Sequence, residues 1–324
     1  MKHKSIIAAA ALGAMFAGLS PAVSVADNYP NQTVKIIVGY NPGGGTDTIA
    51  RTVADALSKK WNSQVIVENR PGAAGAIGVR TLKSADPDGY TLGMWSTSDV
   101  GNAAVQEGLN YDLVEDFVAI SQIAFGSTVL VVNSKLPIKN LPEYIAYAKA
   151  NPGKLNVSIV TGGDLHLDTI RINKAAGIET TLIGYPGTAP GLTDVVGGHT
   201  DAMLLPIGPA KPHIEAGTLR AVAVGSKVRS KLLPDVATMA DTLPGFSSTF
   251  FYGMAAPKGT PDAVIAKINA AVQDSLSNPD LTNKLTSLGF TAEGTTPAEY
   301  REIVVQKLKN SREAAIIAGM IKPN

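Results

Sequence analysis

Four short stretches of glycine and small polar residues each follow an apolar run, and they are the places where this sequence could bind a ligand. They read YNPGGGTD at 40–47, STSD at 96–99, TGGDLH at 161–166 and YPGT at 185–188. Glycine lets the backbone approach a ligand closely, and the first turn of a helix presents free N–H groups at the positive end of the helix dipole. Such a place suits an anion without needing Arg or Lys. The stretches therefore predict oxyanion binding by main-chain amides; the alternative is that each only connects a strand to a helix.

Three side chains in these stretches have two possible roles each. Asp47 could hydrogen-bond an amino or hydroxyl group of a ligand, or it could cap the helix that follows. Asp164 has the same alternative, and if it faces a cleft its charge would repel a ligand carboxylate and favour an ammonium or hydroxyl group. His166 could donate a hydrogen bond to a ligand, or it could lie solvated at a helix start.

Two tyrosines and a further aspartate are also candidates. Tyr40 and Tyr185 each precede a glycine-bearing turn, where they could wall a pocket with an aromatic face and a hydroxyl group, or could pack in the core at the end of a strand. Asp201, in GGHTDAML, is expected early in a strand, where it could serve as a structural anchor.

The sequence lacks the motifs of nucleotide-binding proteins and of the common hydrolases. Thr48 stands where a dinucleotide-binding fingerprint needs its third glycine, and there is no G-K-[ST] for a phosphate loop. There is no G-x-S-x-G motif and no cysteine, and His166, His199 and His213 do not have the spacing of metal ligands. We therefore expect no catalytic residue, no metal and no cofactor.

The composition is that of a globular protein of about two domains, since hydrophobic residues make up 45% of the 324 residues and charged residues 17%. Lys2 and Lys4 precede an apolar stretch and the small residues up to Ala26, which predicts a secretory signal peptide, residues 1–26. Its removal takes away two of the 28 Lys and Arg and none of the 27 Asp and Glu, which leaves a net charge of −1. That balance argues against nucleic-acid binding. The expected location is the periplasm.

Short strands alternate with amphipathic helices along most of the chain, which predicts parallel sheets. Strands are predicted at 33–40, 63–69, 91–96, 127–133, 155–160, 180–185, 200–206 and 219–226. Apolar residues four apart, such as Ile49, Val53 and Leu57, predict helices between them, and Thr46 or Asp47 is expected to cap the first. The last third is predicted to be mostly helical. Three of its helices are expected to start where a cap residue precedes proline, at Thr260-Pro261, Asn278-Pro279 and Thr296-Pro297.

Several segments, in chain order, resemble the Bug family, the extracytoplasmic solute-binding proteins of tripartite tricarboxylate transporters. They are YPNQTVKIIVGYNPGGGTD, VIVENRPGAAGAIG, ADPDGYTL, IGYPGTAPGLTDVVGGHTDAML, PHIEAGTLRAVAV and FYGMAAPKGTP. The resemblance implies an α/β fold, a two-lobed type II periplasmic binding protein, with a mainly parallel sheet flanked by helices in each lobe and the ligand cleft between the lobes. It places the crossings between lobes near Ser121–Val131 and Ser248–Ala255. Domain 1 would comprise residues 27–125 plus 252–324, and domain 2 residues 126–251.

The family binds carboxylates through backbone amides and ordered water rather than through a basic clamp, and this implies a set of ligand contacts here. The implied ligand-binding residues are Tyr40, Asn41, Gly43, Gly44, Gly45, Thr46, Asp47, Ser96, Thr97, Ser98, Thr161, Gly162, Gly163, Asp164, His166, Tyr185, Pro186, Gly187 and Asp201. One segment departs from the family pattern, because TGGDLH is shorter than the usual Gly/Ser run before the histidine and carries an acid at Asp164.

The resemblance implies a periplasmic protein that captures a small organic carboxylate and delivers it to the membrane permease subunits of a tripartite tricarboxylate transporter. The ligand could be a dicarboxylate, a tricarboxylate, an amino-acid carboxylate or an aromatic carboxylate. We expect a monomer that is not an enzyme. Two alternatives remain open from the residues: a sensory protein that presents its ligand to a membrane receptor, and a secreted hydrolase using Asp47, Asp164 and His166.

Overall fold

A computed structural model of the chain describes residues 28–106, 108–161, 164–185 and 187–322, and the predicted signal peptide lies outside them. The strands are β1 (Val34–Val38), β2 (Val65–Asn69), β3 (Thr91–Ser96), β4 (Phe117–Asn133), β5 (Asn156–Val160), β6 (Thr181–Tyr185), β7 (Ala202–Pro206), β8 (Leu219–Val224), β9 (Thr249–Pro257) and β10 (Thr291–Ala292). The helices are α1 (Gly45–Trp61), α2 (Ala76–Lys83), α3 (Thr97–Val105), α4 (Leu141–Ala150), α5 (Asp164–Ala176), α6 (Thr188–Gly197), α7 (Ile207–Glu215), α8 (Asp262–Leu276), α9 (Pro279–Ser287) and α10 (Pro297–Ile317). Single 3-10 turns lie at Ala73–Gly75 and Met239–Asp241.

The strands follow the order β2-β1-β3-β9-β4-β7-β5-β6, with β10 and β8 also paired to β4. Strand β4 is long and divides this arrangement into two sheets. Its first part pairs with β9 and β10, and its last part, from Thr128, pairs with β7 and β8. We call the β2-β1-β3-β9 sheet with its helices α1–α3 and α8–α10 the first lobe. The second lobe is the β7-β5-β6 sheet with β8, the end of β4 and helices α4–α7.

Parallel pairing is confirmed where strands alternate with helices, in β1 with β2 and β3 and in β5 with β6 and β7. The sheets are nevertheless mixed, because β4 runs antiparallel to β9, β7 and β8. The reason is topological: β4 carries the chain out of the first lobe and β9 carries it back, so these neighbours point in opposite directions. The exact domain boundaries remain a prediction.

Local capping explains where several helices start. Asn278 caps α9 and Thr296 caps α10, the latter in a capping box with Glu299, and both starts are confirmed. The third predicted start is displaced by one residue. Helix α8 begins at Asp262 with Pro261 at the N-cap position, since the hydroxyl of Thr260 donates instead to the carbonyl of Pro257 at 2.8 Å.

Each lobe has its own apolar core. In the first lobe the predicted stripe of Ile49, Val53 and Leu57 is buried against the sheet, together with Val264 and Ile268 of α8. Two further clusters fill the second lobe on either side of its sheet. Of the helices that the structure describes, none is sufficiently long and apolar to span a membrane. The lobes also meet where Leu167 of α5 packs on Ala314 and Ala315 of α10, and a cleft lies between them elsewhere.

Candidate functional site

A cleft of about 410 Å³ lies between the lobes, at the carboxyl ends of the strands. This is where ligands bind in open α/β sheets, and the volume is within the range of small-molecule sites. Residues of both lobes line it: Ser96, Thr97, Ser98, Ile159, Val160, Asp164, Leu165, Thr188, Met203, Leu204, Pro206, Gly208, Pro209, Phe250, Phe251, Tyr252, Leu288, Gly289 and Phe290. Four of the predicted ligand-binding residues, Ser96, Thr97, Ser98 and Asp164, are among them.

The start of α3 is the contribution of the first lobe to the floor of the cleft. Asp99 is buried and accepts hydrogen bonds from the backbone N–H and the hydroxyl of Ser96, each at 2.7 Å, which closes a capping box. Burial raises the pKa of Asp99 to about 6 even though these hydrogen bonds from Ser96 oppose the shift. Thr97 Oγ1 accepts from the N–H of Phe251 at 2.6 Å, so α3 is fixed to β9. Ser98 is exposed at the first turn.

Three helices of the second lobe also begin at the cleft. Helix α5 starts with Asp164, α6 starts with Thr188 after Gly187, and α7 starts after Pro206. The first N–H groups of a helix have no partner within it, so helix starts from both lobes offer donors to one space. Among the lining residues that the structure describes, none is Lys or Arg. An anion in this cleft would therefore be bound by amides and hydroxyls.

The loop before α1 is arranged differently from the prediction. The helix begins at Gly45 with Gly44 at the N-cap, so the expected cap by Thr46 or Asp47 is wrong. Asp47 is buried and accepts hydrogen bonds from the N–H of Gly43 at 2.8 Å, Arg51 Nε at 2.9 Å and Asn69 Nδ2 at 2.9 Å. Burial raises its pKa, but these hydrogen bonds, that of Arg51 foremost, more than offset burial and hold the pKa of Asp47 below its usual value. Asp47 thus fixes the loop from inside.

The exposed part of this loop lies next to the cleft rather than in its wall. Asn41 and the three glycines at 43–45 are exposed, and Thr46 is buried. A methyl group at Gly45 would lie 2.6 Å from the hydroxyl oxygen of Tyr252, a residue of the cleft. The hydroxyl of Tyr40 points inward beside Asp99 and Ser96, and burial raises its pKa. Whether this loop contacts a ligand remains a prediction.

Asp164 takes part in a buried group of charges that joins the lobes, which we call the ionic cluster: Asp164, Asp168, Arg171 and Lys307. Lys307 Nζ of α10 lies 2.5 Å from Asp164 Oδ1 and 3.7 Å from Asp168 Oδ1. Arg171 Nη1 lies 2.7 Å from the same Asp168 oxygen. The side chains of Asp164 and Lys307 are only 8% and 10% exposed. The charge of Asp164 is therefore neutralised within the protein, which removes the sequence argument that it selects a ligand amino or hydroxyl group.

Burial and neighbouring charges shift the pKa values of Asp164 and Lys307 in the ionic cluster. Burial raises the pKa of Asp164 to about 6, although the charge of Lys307 opposes this shift. Burial alone would lower the pKa of Lys307, but the negative charges of Asp164 and Asp168 more than offset it, so its pKa is raised. Asp168 also accepts from the hydroxyl of Ser248 at 2.7 Å, next to the returning strand. The cluster thus connects α5 of the second lobe to α10 and to the crossing of the first.

The remaining predicted ligand-binding residues that the structure describes are not among the residues that line the cleft. The hydroxyl of Tyr185 donates a hydrogen bond to Asp194 Oδ2 at 2.5 Å and so connects the end of β6 to α6. Asp201 lies at the amino end of β7, away from the cleft, and its carboxylate accepts from the N–H of Asn156 at 2.8 Å, which supports the role of a structural anchor. Thr161 is exposed, and His166 is half-buried with a pKa lowered by that burial. Gly162, Gly163 and Pro186 lie outside the described residues.

Three rings that were not predicted as ligand-binding residues also line the cleft, and we call them the aromatic cluster: Phe250, Tyr252 and Phe290. The ring centroids are 6.5 Å apart between Phe250 and Tyr252, 5.6 Å between Phe250 and Phe290 and 5.3 Å between Tyr252 and Phe290. Each pair meets edge to face. Gly126 of β4 makes room for Phe250, since a methyl group there would overlap its ring. Phe250 and Tyr252 fall within the predicted second crossing. No local signal brings Phe290, from the turn between α9 and β10, back to the cleft.

Comparison with known proteins identifies the family. Residues 49–320 match the family described as the tripartite tricarboxylate transporter family receptor. A Cupriavidus necator protein encoded in the gbd 5′ region is 33% identical, over 98% of this chain and 97% of that protein. The protein BugT of Bordetella pertussis is 33% identical, over 90% of this chain and 91% of its own length.

Solved structures agree with this match. A TctC solute-binding protein from Polaromonas, without ligand, superposes with a TM-score of 0.82 at 25% identity and covers 88% of this chain and 98% of its own. Rpa4515 of Rhodopseudomonas palustris, with adipate, gives 0.73 at 28% identity, over 90% and 99% of the two chains. MatC of the same organism, with bound malate, gives 0.69 at 28% identity, over 88% and 99%.

These relatives are solute-binding proteins and not enzymes, so the hydrolase alternative is excluded. The expected Bug resemblance and two-lobed fold are confirmed. Because the family model covers most of the chain, and relatives above 30% identity cover nearly all of it, the chain belongs to the tripartite tricarboxylate transporter receptor family and is a Bug-type solute-binding protein.

Proposed function

We propose that this protein captures a small organic carboxylate in the cleft between its lobes, in the periplasm, and delivers it to the membrane permease of a tripartite tricarboxylate transporter. The observation that carries the proposal is the meeting of helix starts from both lobes at one cleft, α3 from the first and α5, α6 and α7 from the second. Together they supply amide and hydroxyl donors from two sides. That adipate and malate accompany two related structures supports a carboxylate as the ligand class.

Binding would work through closure of the lobes. Strands β4 and β9 are the connections that pass between the lobes beside the cleft, and a few residues at such crossings suffice to absorb a hinge motion. A ligand held by α3 on one side and α6 on the other stabilises the closed form, because only that form offers both sets of donors at once. No covalent bond is made or broken. The permease would then recognise the closed form.

The main test is a thermal-shift and calorimetric screen of the purified protein against mono-, di- and tricarboxylates, with the corresponding neutral amides and sugars as controls. A carboxylate at 100 times its dissociation constant is expected to add about 2.7 kcal/mol of stability. If only neutral sugars or cations raise the melting temperature, the carboxylate function is refuted. Uptake of the bound acid by cells that lack this protein then separates delivery to a permease from a sensory role.

A pair of variants at Thr188 tests donation by the main chain. Thr188 is the first residue of α6, and Gly187 before it is extended (φ −177°, ψ 170°), so proline is tolerated at position 188, where it removes the N–H together with the hydroxyl, while alanine removes the hydroxyl alone. We expect Thr188→Pro to weaken carboxylate binding by about tenfold, the usual effect of losing one hydrogen bond to a charged group. Thr188→Ala keeps the N–H and is the matched control. Equal affinity of the two variants would refute amide donation by α6.

A further inference from the structure

The walls of the cleft are more informative about the ligand than its helix starts. On the first lobe, all three rings of the aromatic cluster line the cleft. On the second lobe, Ile159, Met203 and Leu204 are aliphatic neighbours of the same space. A ligand enclosed here has most of its surface against carbon, and such contact favours an apolar body.

The aromatic cluster is prepared for a ligand before one binds. Its three rings support one another edge to face, an arrangement that aromatic pairs prefer. Two glycines leave room for it: Gly126 lies under Phe250, and Gly45 lies next to the hydroxyl of Tyr252. Because the rings are held by the first lobe alone, little side-chain freedom is lost when a flat or bulky group packs on them.

The charges set a limit on how many carboxylates the cleft accepts. Asp164 is the one charged side chain among the lining residues that the structure describes, and Lys307 already pairs with it. No further cation from the described residues lines the cleft. One carboxylate can be bound by the helix starts, whereas a second one placed against the rings and aliphatic side chains would meet neither amide donors nor a counter-charge there, and burying an unpaired charge is costly.

From these observations, and resting on the proposed function, we infer that the ligand is a monocarboxylate with an aromatic or bulky branched hydrocarbon body. The aromatic cluster is the determinant of this choice. The cleft therefore selects against small dicarboxylates such as the malate bound by MatC, even though the fold is shared.

Titration calorimetry with phenylacetate, 4-methylpentanoate, malate and adipate tests this inference on protein that has been unfolded and refolded to remove any bound ligand. Phenylacetate is expected to bind at least tenfold more tightly than malate or adipate, and phenylacetamide, which lacks the charge, is expected to bind far more weakly. Malate or adipate binding as tightly as phenylacetate would overturn the inference and leave the proposed function intact. Absence of binding by every carboxylate would refute the proposed function itself.

A variant of the aromatic cluster tests whether these residues determine which carboxylates the cleft binds. Phe290→Ala is expected to lower phenylacetate affinity about tenfold and to leave the weak binding of malate within twofold. Ile77→Ala is the matched control, since Ile77 is an exposed apolar residue of the first lobe that does not line the cleft. If Phe290→Ala weakens both acids equally, or neither, the aromatic cluster does not determine the ligand class and the inference fails.

Discussion

The ionic cluster and the aromatic cluster border the same cleft, but they are built from different parts of the molecule. The aromatic cluster comes from the first lobe alone, from β9 and the turn before β10. The ionic cluster spans the lobes, with Asp164 on α5 and Lys307 on α10. Contacts within one lobe do not depend on the position of the other lobe. Contacts between the lobes form only when the two elements that make them are close together. If the ligand binds as we propose, its choice depends on residues of the first lobe, whereas the ionic cluster contributes to the contact between the lobes.

Breaking the ionic cluster is expected to have the largest effect. Lys307→Met leaves Asp164 and Asp168 buried with Arg171 as their remaining cation, and removing one partner of a buried ion pair typically costs about 3–5 kcal/mol. Urea unfolding at pH 7.5 measures this loss. Lys309→Met, at an exposed position of the same helix, is the control and is expected to change stability by less than about 0.5 kcal/mol. Equal effects of the two variants would show that the cluster contributes nothing.

The pH dependence of the ionic cluster gives the next largest effect. A carboxyl group whose pKa is raised in the folded protein contributes stability that is full below the unfolded pKa, near 4, and is lost as the pH rises through the folded pKa, about 6 for Asp164. The wild-type protein should therefore lose up to about 3 kcal/mol relative to Asp164→Asn between pH 4 and pH 7. Asp99, raised in the same direction, is present in both proteins and cancels. Parallel stability curves for the two proteins would contradict this prediction.

A smaller effect is expected from crowding the aromatic cluster. Gly45→Ala places a methyl group 2.6 Å from the hydroxyl oxygen of Tyr252, so the ring must shift, at a cost of about 1–2 kcal/mol. Tyr252→Phe removes the atom that is struck and should restore most of the loss in the double variant. Thermal unfolding of the four proteins gives the coupling between the two positions. Additive effects would mean that the two residues do not meet.

The smallest stability effect is expected at the rim of the cleft. Leu288 lines the cleft but is 40% exposed, so Leu288→Ser should change the free energy of unfolding by less than about 0.5 kcal/mol. Its affinity for phenylacetate should nevertheless fall, because the exposed side chain packs on the ligand rather than on the core. A large loss of stability would place Leu288 with the core instead of with the ligand wall.

Local sequence patterns predicted helix starts and buried helix faces more reliably than they predicted the tertiary contacts of individual side chains. The helix starts at Asn278 and Thr296 follow from a cap residue before proline, and the stripe of Ile49, Val53 and Leu57 is buried as its spacing predicts. The start of α3 at Ser96 lies where a strand ends in small polar residues. These features depend on a few neighbouring residues, so the sequence contains all the information they need.

Roles that depend on distant partners were not predictable in the same way. Asp47 resembled a helix cap, but Asn69 and Arg51 make it the internal anchor of the loop. Asp164 resembled an unpaired acid in a ligand loop, but Lys307 of the last helix neutralises it. Arg51 is only four residues from Asp47, but Asn69 lies on β2 and Lys307 on the last helix, and the approach of these two distant partners is decided by packing.

The sequence by itself determined most of the helices and strands, the glycine-bearing turns at the strand ends and the family to which the chain belongs, since each of these is encoded in short segments; the first half of β4 and the short β10 were not predicted. Only the tertiary structure decided that Phe290 joins Phe250 and Tyr252, and that α10 supplies the counter-charge for α5. The physical reason is that burial and pairing energies depend on which surfaces meet. That is set by how the two lobes pack around strands β4 and β9.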